Sequence, residues 1–288
     1  MDDNQPMYMG QEDANITRRA TFAESGPMPL SSRDLPDHLL ARGRYAFTVA
    51  EAASELGTTL SATRQALARL QQRKEVFSPT KGLYVAIPSE YRTWGVLPGE
   101  WFIDAMMRHL GRPYYVALLS AARTHGASHQ APQVFQVMTE GTPLRDRDLG
   151  RVRLCLYKSQ HVGKDKTEQI AVPTGYATVS ARETTAVDLI NHYRDSGGYG
   201  NVATIIHEIG ELNGAELARV ASRRGRAAAR RTGWFVDRFG QADDLEALRQ
   251  AARLDLGEPT LLDPAGPKRG KTDPGWRVRL NTHVEPDL

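Results

Sequence analysis

Between residues 31 and 90 the apolar positions recur first at helical spacing and then in alternation. Thr48 followed by Glu51 has the form of a capping box ahead of VAEAASEL, where Val49, Ala52, Ala53 and Leu56 share one face. Gly57 supplies the stop. After Thr58 and Thr59 comes LSATRQALARLQQRKE (60–75), in which Leu60, Thr63, Ala66, Leu67 and Leu70 fall within about 120° and predict a buried stripe. Two β-rich runs in VFSPTKGLYVAI (76–87) flank Ser78-Pro79-Thr80-Lys81-Gly82, which is hairpin chemistry, and Pro88 ends the second run. With a short helix at 34–41 in front, the order is that of a winged helix-turn-helix.

Past YRTWGVLPGEW (91–101), where turn residues and aromatics mark a junction near 90–100, the pattern mixes periods. WFIDAMMRHL and YYVALLSAARTHG read as helices, while QVFQVMTE, RVRLCLYKS and GYATVS read as strands. Ser180 with Glu183 predicts a cap for ARETTAVDLINHY. YGNVATIIHEIGEL, AELARVASRRGRAAARR and DDLEALRQAARL supply further helices, and the stretch after 256 is Pro/Gly-rich and poorly patterned. The predicted class is α+β. A polar, flexible tail (1–30) precedes the winged helix-turn-helix (31–90), and a larger mixed α/β domain (91–288) follows. No internal repeat is visible.

A length of 288 residues suits two folded units, and 40% hydrophobic with 25% charged residues is a soluble composition. No apolar run approaches the roughly 18 residues of a membrane span. The N-terminus carries acids and no apolar core, unlike a signal peptide. With Cys155 as the single cysteine no intrachain disulfide can form, and a cytoplasmic location is expected. Net charge is +3 but unevenly spread. Residues 1–30 hold five acidic against two basic residues, whereas 219–238 hold seven Arg against one Asp.

Candidate chemistry concentrates on the basic segments. On 60–73 the polar face centres on Ser61, Gln65 and Ala68, flanked by Arg64 and Arg69, with Arg73 and Lys74 near its end. Small and amide side chains allow close approach to a major groove, Gln can read an adenine edge, and Arg can reach guanine or phosphate. Lys81 and Gly82 form the tip of the hairpin, where a lysine can grip phosphate. An ordinary solvated helix face is the alternative, weakened by the complete element order around it. Arg219, Arg223, Arg226 and Arg230 align at helical spacing as a surface for an anion or a protein partner, or a solvated face.

Catalytic signals are weak. His125 and His129 are spaced like a metal pair, but Gly126 lies between them and the HExxH glutamate is missing. Asp146 and Asp148 in RDRD resemble half of a two-metal carboxylate pair without the strand-turn that would hold a nucleotide. Cys155 alternates within a strand as a small buried hydrophobe. No catalytic residue, metal site or cofactor is expected.

Together these stretches resemble the AbiEi-type antitoxins of bacterial type IV toxin–antitoxin systems, with an actinobacterial, mycobacterial-like look. The resemblance covers about residues 33–250 and rests on LSATRQALARLQQRKEVFSPTKGLYVAIP, on YYVALLSAARTHGASHQAPQVFQV (114–137) and on PTGYATVSARETTAVDLI (173–190). It implies two jobs. The winged helix binds inverted repeats in double-stranded DNA at its own promoter as an autorepressor, and the second domain counteracts a cognate nucleotidyltransferase toxin, with direct contact left open. Two other readings stand beside it: a nucleic-acid-processing enzyme targeted by a winged helix, and a ligand-responsive regulator whose Tyr114, Tyr115, Tyr157 and Tyr176 line a pocket.

Overall fold

The computed structural model describes residues 30–127, 134–253, 255 and 257–286. The tail expected over 1–30 therefore lies, apart from Leu30, outside the described residues. From Leu35 the chain forms α1 (Leu35–Ala41), β1 (Ala46–Thr48), α2 (Val49–Leu56), α3 (Leu60–Gln72), β2 (Val76–Thr80) and β3 (Leu83–Ala86). This is the expected element order of a winged helix-turn-helix, with one addition. The strand β1 is three residues long, too short for alternation to register, and it pairs antiparallel with β3 in the order β1-β3-β2.

The capping box forms as the sequence predicts. Thr48 Oγ1 accepts from the Glu51 backbone at 3.2 Å, and the Glu51 carboxylate accepts from the Thr48 backbone at 2.7 Å. That backbone donor holds the Glu51 carboxyl below its ordinary value. At the other end Gly57 takes the left-handed conformation (φ 59°) that closes α2.

The hairpin is buried on both faces. Val76, Tyr84 and Ala86 pack with Leu35, Leu39, Phe47, Leu67 and Leu70 beneath the three helices. The alternate residues Phe77, Leu83 and Val85, with Ile87, turn the other way, against Phe102, Ile103 and Met106 of α4 (Gly99–His109). Phe77 and Phe102 meet edge to face with ring centroids 5.2 Å apart. The helix-turn-helix unit is thus fastened to the rest of the protein through a shared wall.

After α4 come β4 (Tyr114–Val116), α5 (Leu118–Thr124), β5 (Val134–Thr139), β6 (Arg147–Asp148), β7 (Arg153–Lys158), β8 (Thr167–Val172) and β9 (Gly175–Ser180). They build a sheet in the order β6-β7-β5-β4-β9-β8, in which β5 and β7 run parallel. A helical layer follows: α6 (Arg182–Asn191), α7 (Gly198–Glu208), α8 (Gly214–Arg223), α9 (Arg226–Phe239) and α10 (Glu246–Ala252). The short strands β10 (Glu211–Leu212) and β11 (Gln241–Ala242) pair with each other. Among the described residues no helix is long and apolar enough to cross a membrane.

Three expectations are corrected here, and the stretch after 256 gains elements that its pattern does not show. Tyr114-Tyr115-Val116 is a strand within the sheet rather than the start of a helix, because a short, fully buried apolar run satisfies either period. Ser180 does not cap α6; it bonds Thr185 Oγ1 at 2.7 Å, while buried Glu183 accepts from the Asn213 backbone at 3.0 Å. The Arg-rich helix splits at Gly225, whose φ of 92° separates α8 from α9. The poorly patterned stretch after 256 is folded, with β12 (Thr260–Leu261), β13 (Lys271–Asp273) and β14 (Val278–Leu280) in one small sheet. Trp276 from this stretch lies over Gly233 of α9 so closely that a Cβ there would sit 2.1 Å from its ring.

Replacing Phe102 by Ala empties one side of the shared wall. Its expected cost is about 3–5 kcal/mol, read as a lower urea midpoint with an unchanged slope. A loss under about 1 kcal/mol would mean that the wall is not a packed core.

Candidate nucleic-acid interface

Helix α3 is presented by its packing and by its N-terminus. Thr59 accepts from the Ala62 backbone at 3.3 Å, and the buried Thr63 hydroxyl donates to the Thr59 carbonyl at 2.9 Å. Thr63, Ala66, Leu67 and Leu70 face inward. Leu60, expected in that stripe, is instead 46% exposed in the helix's first turn, beyond the packed part of the core.

The opposite face brings Ser61, Arg64, Gln65, Ala68 and Arg69 together, all exposed. Among the described residues the charged groups of Arg64 and Arg69 have no ion pair or hydrogen bond. Their neighbours differ. Arg42 and Arg44 are engaged by Glu55 at 3.4 and 2.6 Å, and Arg73 by both oxygens of Glu75 at 3.1 and 3.3 Å. Lys74, in the left-handed region (φ 57°), lays its stem along Gly95. Arg73 is thus paired and Lys74 lies by Gly95, apart from the exposed group of Ser61, Arg64, Gln65, Ala68 and Arg69.

At the hairpin tip Lys81 is exposed and Gly82 adopts φ 86°. The tip rests on α4: the His109 ring Nε2 lies 3.1 Å from the Lys81 carbonyl, and Arg147 reaches the Thr80 hydroxyl at 3.4 Å. The turn is braced from behind while the Lys81 side chain remains outside.

The expected arginine stripe does not form. Arg219 and Arg223 belong to α8, and Arg226 and Arg230 to α9, so a single 100° periodicity cannot run across Gly225. Arg219 is held by Glu216, and Arg223 by Asp165 at 2.8 Å. Arg230 is fully buried and donates to the carbonyls of Ala252, Arg253 and Glu258, with burial lowering its pKa. It cannot belong to an anion-binding surface. Arg226, at the start of α9, is exposed, as is Arg223 at the end of α8.

The other candidates disperse. His125 Nε2 lies 2.8 Å from the Ser180 carbonyl, and His129 is outside the described residues. Asp146 accepts from the Leu156 backbone at 3.0 Å and Asp148 from Gly150 at 2.9 Å, so both carboxylates hold loop backbone. Cys155 is buried, and burial raises its thiol pKa. Tyr114 and Tyr115 lie in two different cores, Tyr157 takes a hydrogen bond from Gln136 at 3.4 Å, and Tyr176 is 61% exposed.

One constellation carries almost no signal in the sequence. Asp188 on α6 receives Arg224 through Nε and Nη2 at 3.1 and 2.6 Å and the Tyr115 hydroxyl at 2.8 Å. Asp165 takes Arg224 and Arg223 at 2.8 Å each. Burial opposes the charge on Arg224, but Asp188 and Asp165 outweigh it and raise its pKa, while burial pushes the Tyr115 phenol up. What could have pointed to it is an aspartate inside the apolar run AVDLI.

Residues 115–238, from β4 through α9, match the family model described as the AbiEi antitoxin C-terminal domain. The resemblance to AbiEi-type antitoxins is thereby shown over that stretch, and it supports an antitoxin role. A solved structure, the crystal structure of RV2827C protein from Mycobacterium tuberculosis, shares the fold with a TM-score of 0.59 at 12% sequence identity. The similarity covers 86% of this chain and 90% of that one. No curated protein matches the chain.

The buried network yields a stability expectation. Asp188→Ala should cost about 3–5 kcal/mol by leaving Arg224 incompletely paired. Tyr115→Phe, which removes one hydrogen bond to a charge, should cost about 1.5–3 kcal/mol. Denaturant unfolding of both variants checks the order, and equal costs would contradict it.

Proposed function

We propose that the chain is a DNA-binding transcriptional autorepressor as well as an antitoxin, counteracting a cognate nucleotidyltransferase toxin. The carrying observation is the face of α3, where Arg64 and Arg69 have no ion pair among the described residues and flank Ser61, Gln65 and Ala68. A guanidinium engaged by a neighbouring carboxylate has part of its charge offset and some of its donors occupied. Arg64 and Arg69 carry neither restriction, so their full set of donors can meet guanine edges or phosphates. Gln65 offers the bidentate pattern that reads adenine, and Ala68 leaves room for the helix to approach.

Lys81 adds a phosphate contact from the braced turn, which sets the angle at which α3 enters the groove. An inverted repeat then takes two copies, whose spacing follows the helical repeat of DNA. The AbiEi-type stretch 115–238 carries the antitoxin task, separate from the reading face. Its partner in that task is read from the family resemblance alone.

An electrophoretic shift on the DNA upstream of the gene is the test. The expected result is a preference over scrambled DNA at moderate salt, with Arg64→Ala losing about 1–3 kcal/mol of that binding. Equal affinity for scrambled DNA would remove the repressor reading while leaving the antitoxin domain untouched.

A further inference from the structure

A cavity of about 420 Å³ opens at the carboxyl ends of the parallel strands β5 and β7, between the loop after β7 and the ends of α6 and α8. Its charges are sorted by depth. The side chains of Asp165 and Asp188 are 0% and 2% exposed, that of Arg224 is 8%, and that of Arg223 is 31%. Lys158, at the end of β7, is exposed at the mouth. Asp188 therefore lies deep in the wall, Asp165 sits behind Arg223 and Arg224, and the cations Arg223 and Lys158 face the opening.

Several donors remain free there. Arg223 uses Nη1 for Asp165 and for the Lys164 carbonyl, while its Nε and Nη2 make no hydrogen bond among the described residues. The Lys158 ammonium and the ring nitrogens of His161 likewise have none. His161 is held below its ordinary pKa by burial and by Arg224, so its neutral ring supplies one donor and one acceptor.

We propose that this cavity binds a small phosphate-bearing anion, held by Lys158, Arg223 and His161, with Arg224 locked behind them by Asp165 and Asp188. The free edge of a guanidinium matches two oxygens of one phosphate, and a lysine supplies a point charge beside it. Arg223 is kept in place by its Asp165 bond, so little ordering is needed on binding. The volume lies in the range of small-molecule sites, about 300–1,000 Å³, and the concave shape favours a phosphate or nucleotide over the rail of a duplex. The site shares none of these residues with the α3 face, so it stands or falls independently of DNA reading.

The full chain at low ionic strength is titrated with inorganic phosphate and, separately, with adenosine triphosphate, by calorimetry and thermal shift. Saturable binding at one site is expected, weakened about tenfold by Lys158→Met and by Arg223→Met and unchanged by Arg64→Ala. Lys158 has no side-chain partner among the described residues, so that variant should melt like the parent without ligand. Tighter binding of the triphosphate marks a nucleotide ligand and equal binding marks free phosphate; both support the site. Three results would overturn it: no saturable binding at about 10 mM of either probe, binding that survives both methionine variants, or displacement by scrambled duplex DNA that depends on Lys158 and Arg223.

Discussion

Because side chains alternate along β2 and β3, one set of residues closes the core under α1, α2 and α3 while the other packs against α4. A wing in a free-standing winged helix keeps one face toward solvent; here Leu83 and Val85 are 4% and 0% exposed. Helix α3 therefore cannot be displaced from the α/β body without exposing an apolar wall. His109 at the Lys81 carbonyl extends the same bracing to the tip.

A second fixed point lies between the sheet and the helical layer. Arg224, nearly buried, is shared by Asp165 and Asp188, and Tyr115 joins it to β4. Buried charges are tolerated only when their hydrogen bonds are met, and this set meets them from three elements and one loop. The network ties the end of α8 to α6, to β4 and to the loop that holds Asp165. The AbiEi-type stretch contains every member of it.

What could be read in the sequence was what repeats or caps. The Thr48–Glu51 box, the Gly57 stop, the α3 stripe from Thr63 to Leu70 and the strands β5, β7 and β9 all carry local signals strong enough to specify them. What was hidden depends on distant partners. Strand β4 is too short for its period to show, and β1 and the small C-terminal sheet become visible only through pairing. The arginines misled because helical spacing was carried across Gly225, and because Arg230 is satisfied by carbonyls distant in sequence. At the candidate interface the residue types on α3 were legible. The ion pairing that separates Arg73 from Arg64 and Arg69 was not.

These features separate the exposed α3 face, braced through the hairpin, from the stretch that resembles the AbiEi antitoxin C-terminal domain. On the proposed reading, the α3 face and the Lys81 turn meet phosphates and bases through cations that have no ion pair among the described residues. The dependence of DNA affinity on salt, compared between the parent and an Arg64→Ala, Arg69→Ala, Lys81→Ala variant, tests it most directly. If these side chains displace counterions, the slope of log K against log salt should flatten by about 0.9 for each phosphate that the variant no longer neutralises. An identical slope in the two proteins would place the DNA-binding surface elsewhere and contradict the account.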